Sequence, residues 1–206
     1  MFGDGALAFR EFVVSEELPL AIVQQAMLEF LRDRTDAVVF GAQAVNAYVD
    51  EPRMTQDIDL LSVRAGALVE ELREHIAETF HIAVRVRQIS ERAYRLFQVR
   101  QPKNRHLADV GRSIPCRVPE NIAGVLILEP AELIAEKVIA YQRRRGQPRS
   151  GTDWRDLASL LLKFPDLKAD SGPVRDALTD RGVEGDVVFA WESVVRQELE
   201  PGNDEF

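Results

Sequence analysis

The sequence predicts an α+β fold: a mixed sheet flanked by helices, followed by a C-terminal helical part. Three observations carry this reading. Up to residue 117, short apolar runs closing on glycine or polar residues alternate with stretches of helical spacing. After Pro115 the character changes to successive amphipathic segments of helical period. The chain has 206 residues, 46% apolar and 29% charged, with a mean hydropathy of −0.17. That is enough for one domain, or a compact domain with a helical appendage, around a real core. The expected division is an α/β core with an N-terminal helix over 1–117 and a helical region over 118–206, without internal repeats.

Taken in order, residues 19–34 open with a proline suited to a first helical turn and repeat apolar residues at Leu20, Val23, Met27, Phe30 and Leu31, giving a helix with one buried face. Residues 37–41, AVVFG, read as a buried strand, and 42–50 as a short helix. Residues 57–62 alternate polar and apolar as a strand does, and 66–79 return to helical spacing. Strands are expected over 82–88 and 93–100, joined by the polar connection ISERA, and over 106–112. Residues 129–145 form a helix with a proline near its start, apolar Leu133, Ile134, Val138 and Tyr141, and a basic last turn that suits the negative helix end. GQPRSG reads as a linker, Thr152 as the cap of a helix over 152–163, and 173–180 and 185–198 as two further helices. Gly202 to Phe206 read as a frayed tail.

Composition narrows the function classes. No apolar run reaches the roughly 18 residues of a membrane span, and Met1 to Arg10, with Asp4, lack a signal pattern. The expectation is an unprocessed, soluble, cytoplasmic protein with no membrane partner. A single cysteine, Cys116, offers no internal disulfide and no CxxC zinc ligand set, which agrees with a reducing compartment. The net charge of −8 argues against a generic nucleic-acid coat, yet residues 81–117 carry nine Lys/Arg against Glu91 and Asp109. An acidic chain with one basic stretch suggests a polyanionic ligand held at one place, or a solvated arginine face on a hairpin.

The most informative stretch is 38–61, VVFGAQAVNAYVDEPRMTQDIDLL. In a strand, residues i and i+2 share a face, so Asp57 and Asp59 set two carboxylates side by side while Ile58 and Leu60 turn to the core. Like charges that close are unfavourable unless a cation lies between them. One or two carboxylates, with the remaining positions left to water and phosphate oxygens, are what Mg²⁺ takes. Two exposed aspartates at a strand edge would look the same. Gly41 follows the expected strand and precedes a helix, where glycine lets a ligand approach the backbone and the helix amides face an anion. A plain strand-to-helix turn would also place a glycine there. The order is what distinguishes the two: strand, glycine, short helix, a loop with Arg53 and Thr55, then the Asp-x-Asp strand.

On these residues the stretch resembles the nucleotidyltransferases of the DNA polymerase β superfamily. It looks most like the minimal prokaryotic branch that includes the AbiEii-like toxin components and the lincosamide-type antibiotic nucleotidyltransferases. Their pattern is a glycine plus a small residue opening a helix, then an Asp-x-Asp strand, often with an arginine and a Thr or Ser just before it, here Arg53 and Thr55. The resemblance implies a nucleotidyltransferase-fold sheet, divalent ions (Mg²⁺ or Mn²⁺) on Asp57 and Asp59, and a Gly41–Ala42 turn holding the phosphates of a nucleoside triphosphate. The family's third carboxylate lies on a later strand, and Asp109 in HLADVGR matches it as the only acidic residue between Glu91 and Glu120. A turn-forming aspartate before Gly111 is the other reading. The branch also carries a lysine on the first helix after the sheet and an Arg-Asp pair on the next, here Lys137, Arg155 and Asp156. A solvated helix face would account for these equally.

Two departures matter. Ala42 stands where the family has Gly or Ser and offers a phosphate no hydroxyl. Fourteen residues separate Ala42 from Asp57, at or just beyond the upper end of the usual spacing. Either would fit weakened catalysis or an inactive, nucleotide-binding relative. His75, His81 and His106 are scattered without metal-ligand spacing, and no serine or cysteine sits in a nucleophile motif. The resemblance therefore implies Mg-dependent transfer of a nucleotide from an NTP to a hydroxyl, in a toxin-like role with an antitoxin-like protein partner. Arg143, Arg144, Arg145 and Arg149, with the basic stretch 81–117, would suit RNA or tRNA as acceptor; a small hydroxylated molecule, a protein side chain and a non-catalytic binding module stay open. The testable geometry is convergence of Asp57, Asp59 and Asp109 in a cleft between sheet and helices, with Lys137 pointing in.

Overall fold

The computed structural model describes residues 18–113 and 118–200. Cys116, the first ten residues and the tail from Gly202, on which some expectations rest, lie outside the described residues. The chain runs α1 (Leu20–Leu31), β1 (Val38–Phe40), α2 (Gly41–Tyr48), β2 (Ile58–Leu61), α3 (Ala65–Phe80), β3 (Val84–Ser90), β4 (Ala93–Gln98), β5 (Arg105–Gly111), β6 (Glu120–Ile122), β7 (Val125–Ile127), α4 (Pro130–Arg143), α5 (Arg149–Lys163), a 3₁₀ turn (Pro165–Leu167), α6 (Pro173–Asp180) and α7 (Gly185–Arg196).

The strands form one mixed sheet in the order β3-β4-β5-β2-β1-β7-β6. β2 is antiparallel to β1 and parallel to β5, while β3, β4 and β5 form an antiparallel meander. Strand alternation decides which side chains enter the core: Ile58 and Leu60 on β2, Leu96 on β4 and Val110 on β5 are fully buried. α3 crosses β3, β4 and β5 and presents Leu68, Val69, Leu72 and Ile76 at helical spacing to that face. α1 packs its buried Val23, Met27 and Leu31 towards α3 and β7.

α2 and α4 couple the sheet to the helical region. α2 starts directly on β1 with no intervening loop and touches β2, α4 and α5. α4 is capped by Glu129, whose carboxylate accepts from the Glu132 amide, and has Pro130 in its first turn, where a missing N–H goes unnoticed. Its apolar faces meet α5, α6 and α7, so Leu133, Ile134 and Val138 are fully buried.

Two expectations need correction. The segment after residue 117 is not wholly helical: β6 and β7 pair antiparallel, and β7 extends the sheet by pairing with β1. β6 has a single apolar residue, and the apolar run of β7 is not closed by a glycine, so they left no readable pattern. Thr152 does not cap α5, which begins at Arg149 after Pro148 and has no side-chain cap; it absorbs part of the expected linker. No helix among the described residues is long and apolar enough to cross a membrane.

Candidate active site

The cleft between the sheet and the helical region has a volume of about 550 Å³ and is lined by Ala42, Arg53, Thr55, Asp57, Asp59 and Asp109, with Lys137 on its far wall. Six of the predicted nucleotide or carboxylate positions and the lysine thus meet in one place. Arg155 does not join them. It is exposed on α5 and lies outside the lining, because Asp153 and Asp156, three apart, take the inward face of that helix.

Gly41 explains how Asp59 is seated. Its φ of +69° lies in the left-handed region, and a Cβ there would overlap the Asp59 carboxylate across the β1–β2 pair, where Phe40 lies opposite Asp59. Glycine therefore serves the close approach of Asp59 as well as the turn into α2. Gly41→Ala is expected to destabilise the fold by about 1–2 kcal/mol through the left-handed backbone alone. Displacing Asp59 should also weaken triphosphate binding, and thermal denaturation alongside calorimetric titration measures both effects.

Charge balance in the cleft is uneven. Burial first, then the charges of Asp57 and Asp109, push Asp59 up to about 6, against the pull of Lys137 and His106. Asp109 lies beside Asp59 in the parallel β2–β5 register, so the third carboxylate converges as expected. Its oxygens are already engaged: Arg95 donates to both, at 2.7 Å each, and His106 Nε2 lies 3.0 Å from Oδ1. Burial would raise Asp109, but the hydrogen bonds from Arg95 and His106 overcome it and hold the carboxyl at about 2. His106 bridges the acids, with Nδ1 2.9 Å from Asp57 Oδ2. Burial opposes its charge, and the hydrogen bonds to Asp109 and Asp57 outweigh it, raising the imidazole to about 9.

The sequence assigns His106 no site role and Arg95 only a place in the basic stretch 81–117, and does not foresee their engagement with the carboxylates. On a regular strand, His106 and Asp109, an odd number apart, would face opposite sides. The β4–β5 pairing slips between Leu96 and Phe97, opposite Ala108 and His106, and this bulge turns both side chains to the cleft. No periodicity in one sequence shows where a bulge falls.

The opposite wall is built on Asp156. It is 2% exposed and accepts from Arg53 Nε at 2.6 Å, Arg53 Nη2 at 2.8 Å and Lys137 Nζ at 2.6 Å. Burial works against ionisation, but these two cations lower the carboxyl's pKa. Asn46 on α2 fixes the Arg53 backbone from both sides, donating to its carbonyl at 2.7 Å and accepting its amide at 3.0 Å. Thr55 lines the cleft, but its hydroxyl donates to Gln43 at 3.0 Å, so it anchors the loop. Gln24 on α1 donates to the same threonine.

Among the described residues, no three His, Cys, Asp or Glu groups form a ready metal cage. Asp57 and Asp59 nevertheless fit a hard dication: two neighbouring carboxylates in an open cleft, Asp59 raised by burial and then by its neighbours' negative charge, leave the other positions to water and phosphate. Asp109 stands instead as the counter-ion of Arg95 and His106.

The family model described as "Nucleotidyl transferase AbiEii toxin, Type IV TA system" matches residues 25–187. No curated protein matches at a significant level. Solved structures of similar fold include a Megavirus polyadenylate synthase (16% identity, TM-score 0.56), with 71% of this chain covering 32% of that one, so the chain spans about a third of its length. JHP933 from Helicobacter pylori is similar over 95% of this chain and 92% of its own, at 11% identity and TM-score 0.51. A nucleotidyltransferase candidate from the same organism covers 95% of each chain at 14% identity and TM-score 0.53.

Proposed function

The chain belongs to the AbiEii family of nucleotidyl transferases, and from that premise we propose that it moves a nucleotide from a nucleoside triphosphate to an acceptor hydroxyl, using Asp57 and Asp59. The observation that supports this most is the cleft itself, where two adjacent carboxylates face Lys137 and Arg53 across a space open to solvent. The acceptor hydroxyl gives up its proton to water in the open cleft, its oxygen bonds to the α-phosphorus as the bond to the β-phosphate oxygen breaks, and pyrophosphate leaves. Mg²⁺ or Mn²⁺ held by Asp57 and Asp59 would offset the negative charge that gathers on the triphosphate in this step. The chain's own part is positioning and neutralisation. Backbone amides at the start of α2, by Gly41 and Ala42, would receive the phosphates, and the Asp156 clamp holds Lys137 and Arg53 as fixed cations at the cleft.

RNA, tRNA included, is the acceptor class that the basic stretch 81–117 supports, and the family description supports an antitoxin as partner. A second reading, a nucleotide-binding module that turns over poorly, draws on the engagement of Asp109 by Arg95 and on Ala42 in the phosphate turn. Incubation with each NTP labelled at its α-phosphorus, together with bulk RNA, tests both. Label in RNA that disappears in Asp57→Asn/Asp59→Asn supports transfer; binding without transfer to RNA or to small hydroxylated acceptors supports the second reading; neither binding nor transfer contradicts both.

A further inference from the structure

The register of the sheet draws a line outwards from the catalytic carboxylates. Asp59 on β2 pairs with Asp109 on β5, Asp109 with Arg95 on β4, and Arg95 with Arg87 on β3. Residues paired directly across strands share a face, so this row runs from the reaction centre to the edge of the sheet. Strands lie about 4.8 Å apart, which makes the row about 14 Å long. A neighbouring row joins His106, Phe97 and Arg85 in the same way. Val84, Val86 and Leu96, on the alternate positions, turn to the core under α3, leaving Arg85 and Arg87 exposed on the opposite face.

The arginines of these rows are not equivalent. Arg95 is committed to Asp109 through both oxygens. Arg85 and Arg87 make no ion pair among the described residues, and they belong to the one basic stretch of an acidic chain. Phe97 lies between them and the site, half-buried, with its ring centroid 6.0 Å from that of His106. In the other basic cluster Arg144 donates twice to the buried Asp153 at 2.9 Å, while Arg149, exposed at the start of α5, lines the cleft and is the competing phosphate contact.

We propose that the exposed face of β3 and β4 is the track on which an RNA acceptor lies, Arg85 and Arg87 taking backbone phosphates and Phe97 a base, so that its 3′ end arrives at Asp57 and Asp59. This rests on the nucleotidyl-transfer reading and adds to it the direction of approach. The chemistry is that of single-strand binding, in which cations follow the phosphates and an aromatic face accepts whichever base is there. An acidic peptide would meet the same arginines but has no base to set on Phe97. Arg85 and Arg87 lie at the far end of the rows from the carboxylates, where the strand upstream of a reacting 3′ end would run.

The test is fluorescence anisotropy of a short, labelled single-stranded RNA with a free 3′-hydroxyl, titrated without triphosphate across a salt series. Arg85→Ala/Arg87→Ala is expected to weaken binding on the order of tenfold at low salt, and to reduce the slope of log affinity against log salt by about 1.4, the value for two single-strand phosphate contacts. Both side chains are exposed, so the fold tolerates their removal. Phe97→Ala is expected to weaken binding about tenfold with the slope unchanged, and Phe97→Trp to restore it. Wild-type affinity and slope in the arginine pair variant, with the loss appearing instead in Arg145→Ala/Arg149→Ala, would overturn the track while leaving nucleotidyl transfer intact. Failure of wild type to transfer nucleotide to any acceptor would instead strike the nucleotidyl-transfer reading, and the RNA titration, which does not depend on turnover, keeps the two failures apart.

Discussion

Asp57→Asn/Asp59→Asn is expected to lower nucleotidyl transfer by a factor on the order of 10³ or more, since the carboxylates that would hold the charge-neutralising cation are lost together. A general loss of structure would produce the same number, and the single variant Asp59→Asn separates the two. Asp59 is half-buried, packed against Gly41 and next to two other carboxylates, a placement that opposes folding. Its amide is isosteric and uncharged. Asp59→Asn should therefore be more stable than wild type at neutral pH in metal-free buffer, by on the order of 2 kcal/mol, or a rise of roughly 4–8 °C in Tm for a chain of this size. Lower activity with higher Tm is the signature of a residue kept for chemistry. A lower Tm would contradict the charge balance described for the cleft.

The second large effect is on stability. Asp156→Ala leaves Arg53 and the nearly buried Lys137 without their shared carboxylate, and breaking a buried ion pair on one side typically costs about 3–5 kcal/mol. Urea denaturation should show that loss as a lower midpoint. Because Arg53 is also tied to Asn46 on α2, the damage should reach the loop that carries Thr55 and the approach to Asp57. Lys137→Met/Asp156→Leu, which removes both charges on one side of the clamp, should recover part of the stability and none of the transfer. If Asp156→Ala unfolds at the same urea concentration as wild type, the clamp is not the element that joins the sheet to the helical region.

What could be read from the sequence was whatever is local. Leu20 to Leu31, Ala65 to Phe80 and Pro130 to Arg143 each carry a full helical stripe, and Ile58 and Leu60 alternate with the aspartates, so type and facing followed from spacing. Asp57, Asp59, Gly41 and Arg53 lie within one short stretch whose order points to the site. Residues whose role depends on a distant partner were less legible. Asp156 lies 103 residues from Arg53, and the Arg95–Asp109 pair depends on cross-strand register, which no single segment encodes. His106 required a bulge. Arg155 was misplaced because an Arg-Asp pair on a helix puts its two side chains about 100° apart, and only Asp156 faces inward. β6 has a single apolar residue and no alternation to register, and the three-residue apolar run of β7, unlike that of β1, has no closing glycine to mark it as a strand.

The central claim is that Asp57 and Asp59 form a cation-dependent triphosphate site, and calorimetric titration of the whole chain with each of the four NTPs tests it most directly. Run with and without Mg²⁺, on wild type and on Asp57→Asn/Asp59→Asn, it should show binding of at least one NTP to wild type that requires Mg²⁺ and is absent from the double variant. Binding that is equal with and without Mg²⁺, or that survives in Asp57→Asn/Asp59→Asn, would contradict the claim.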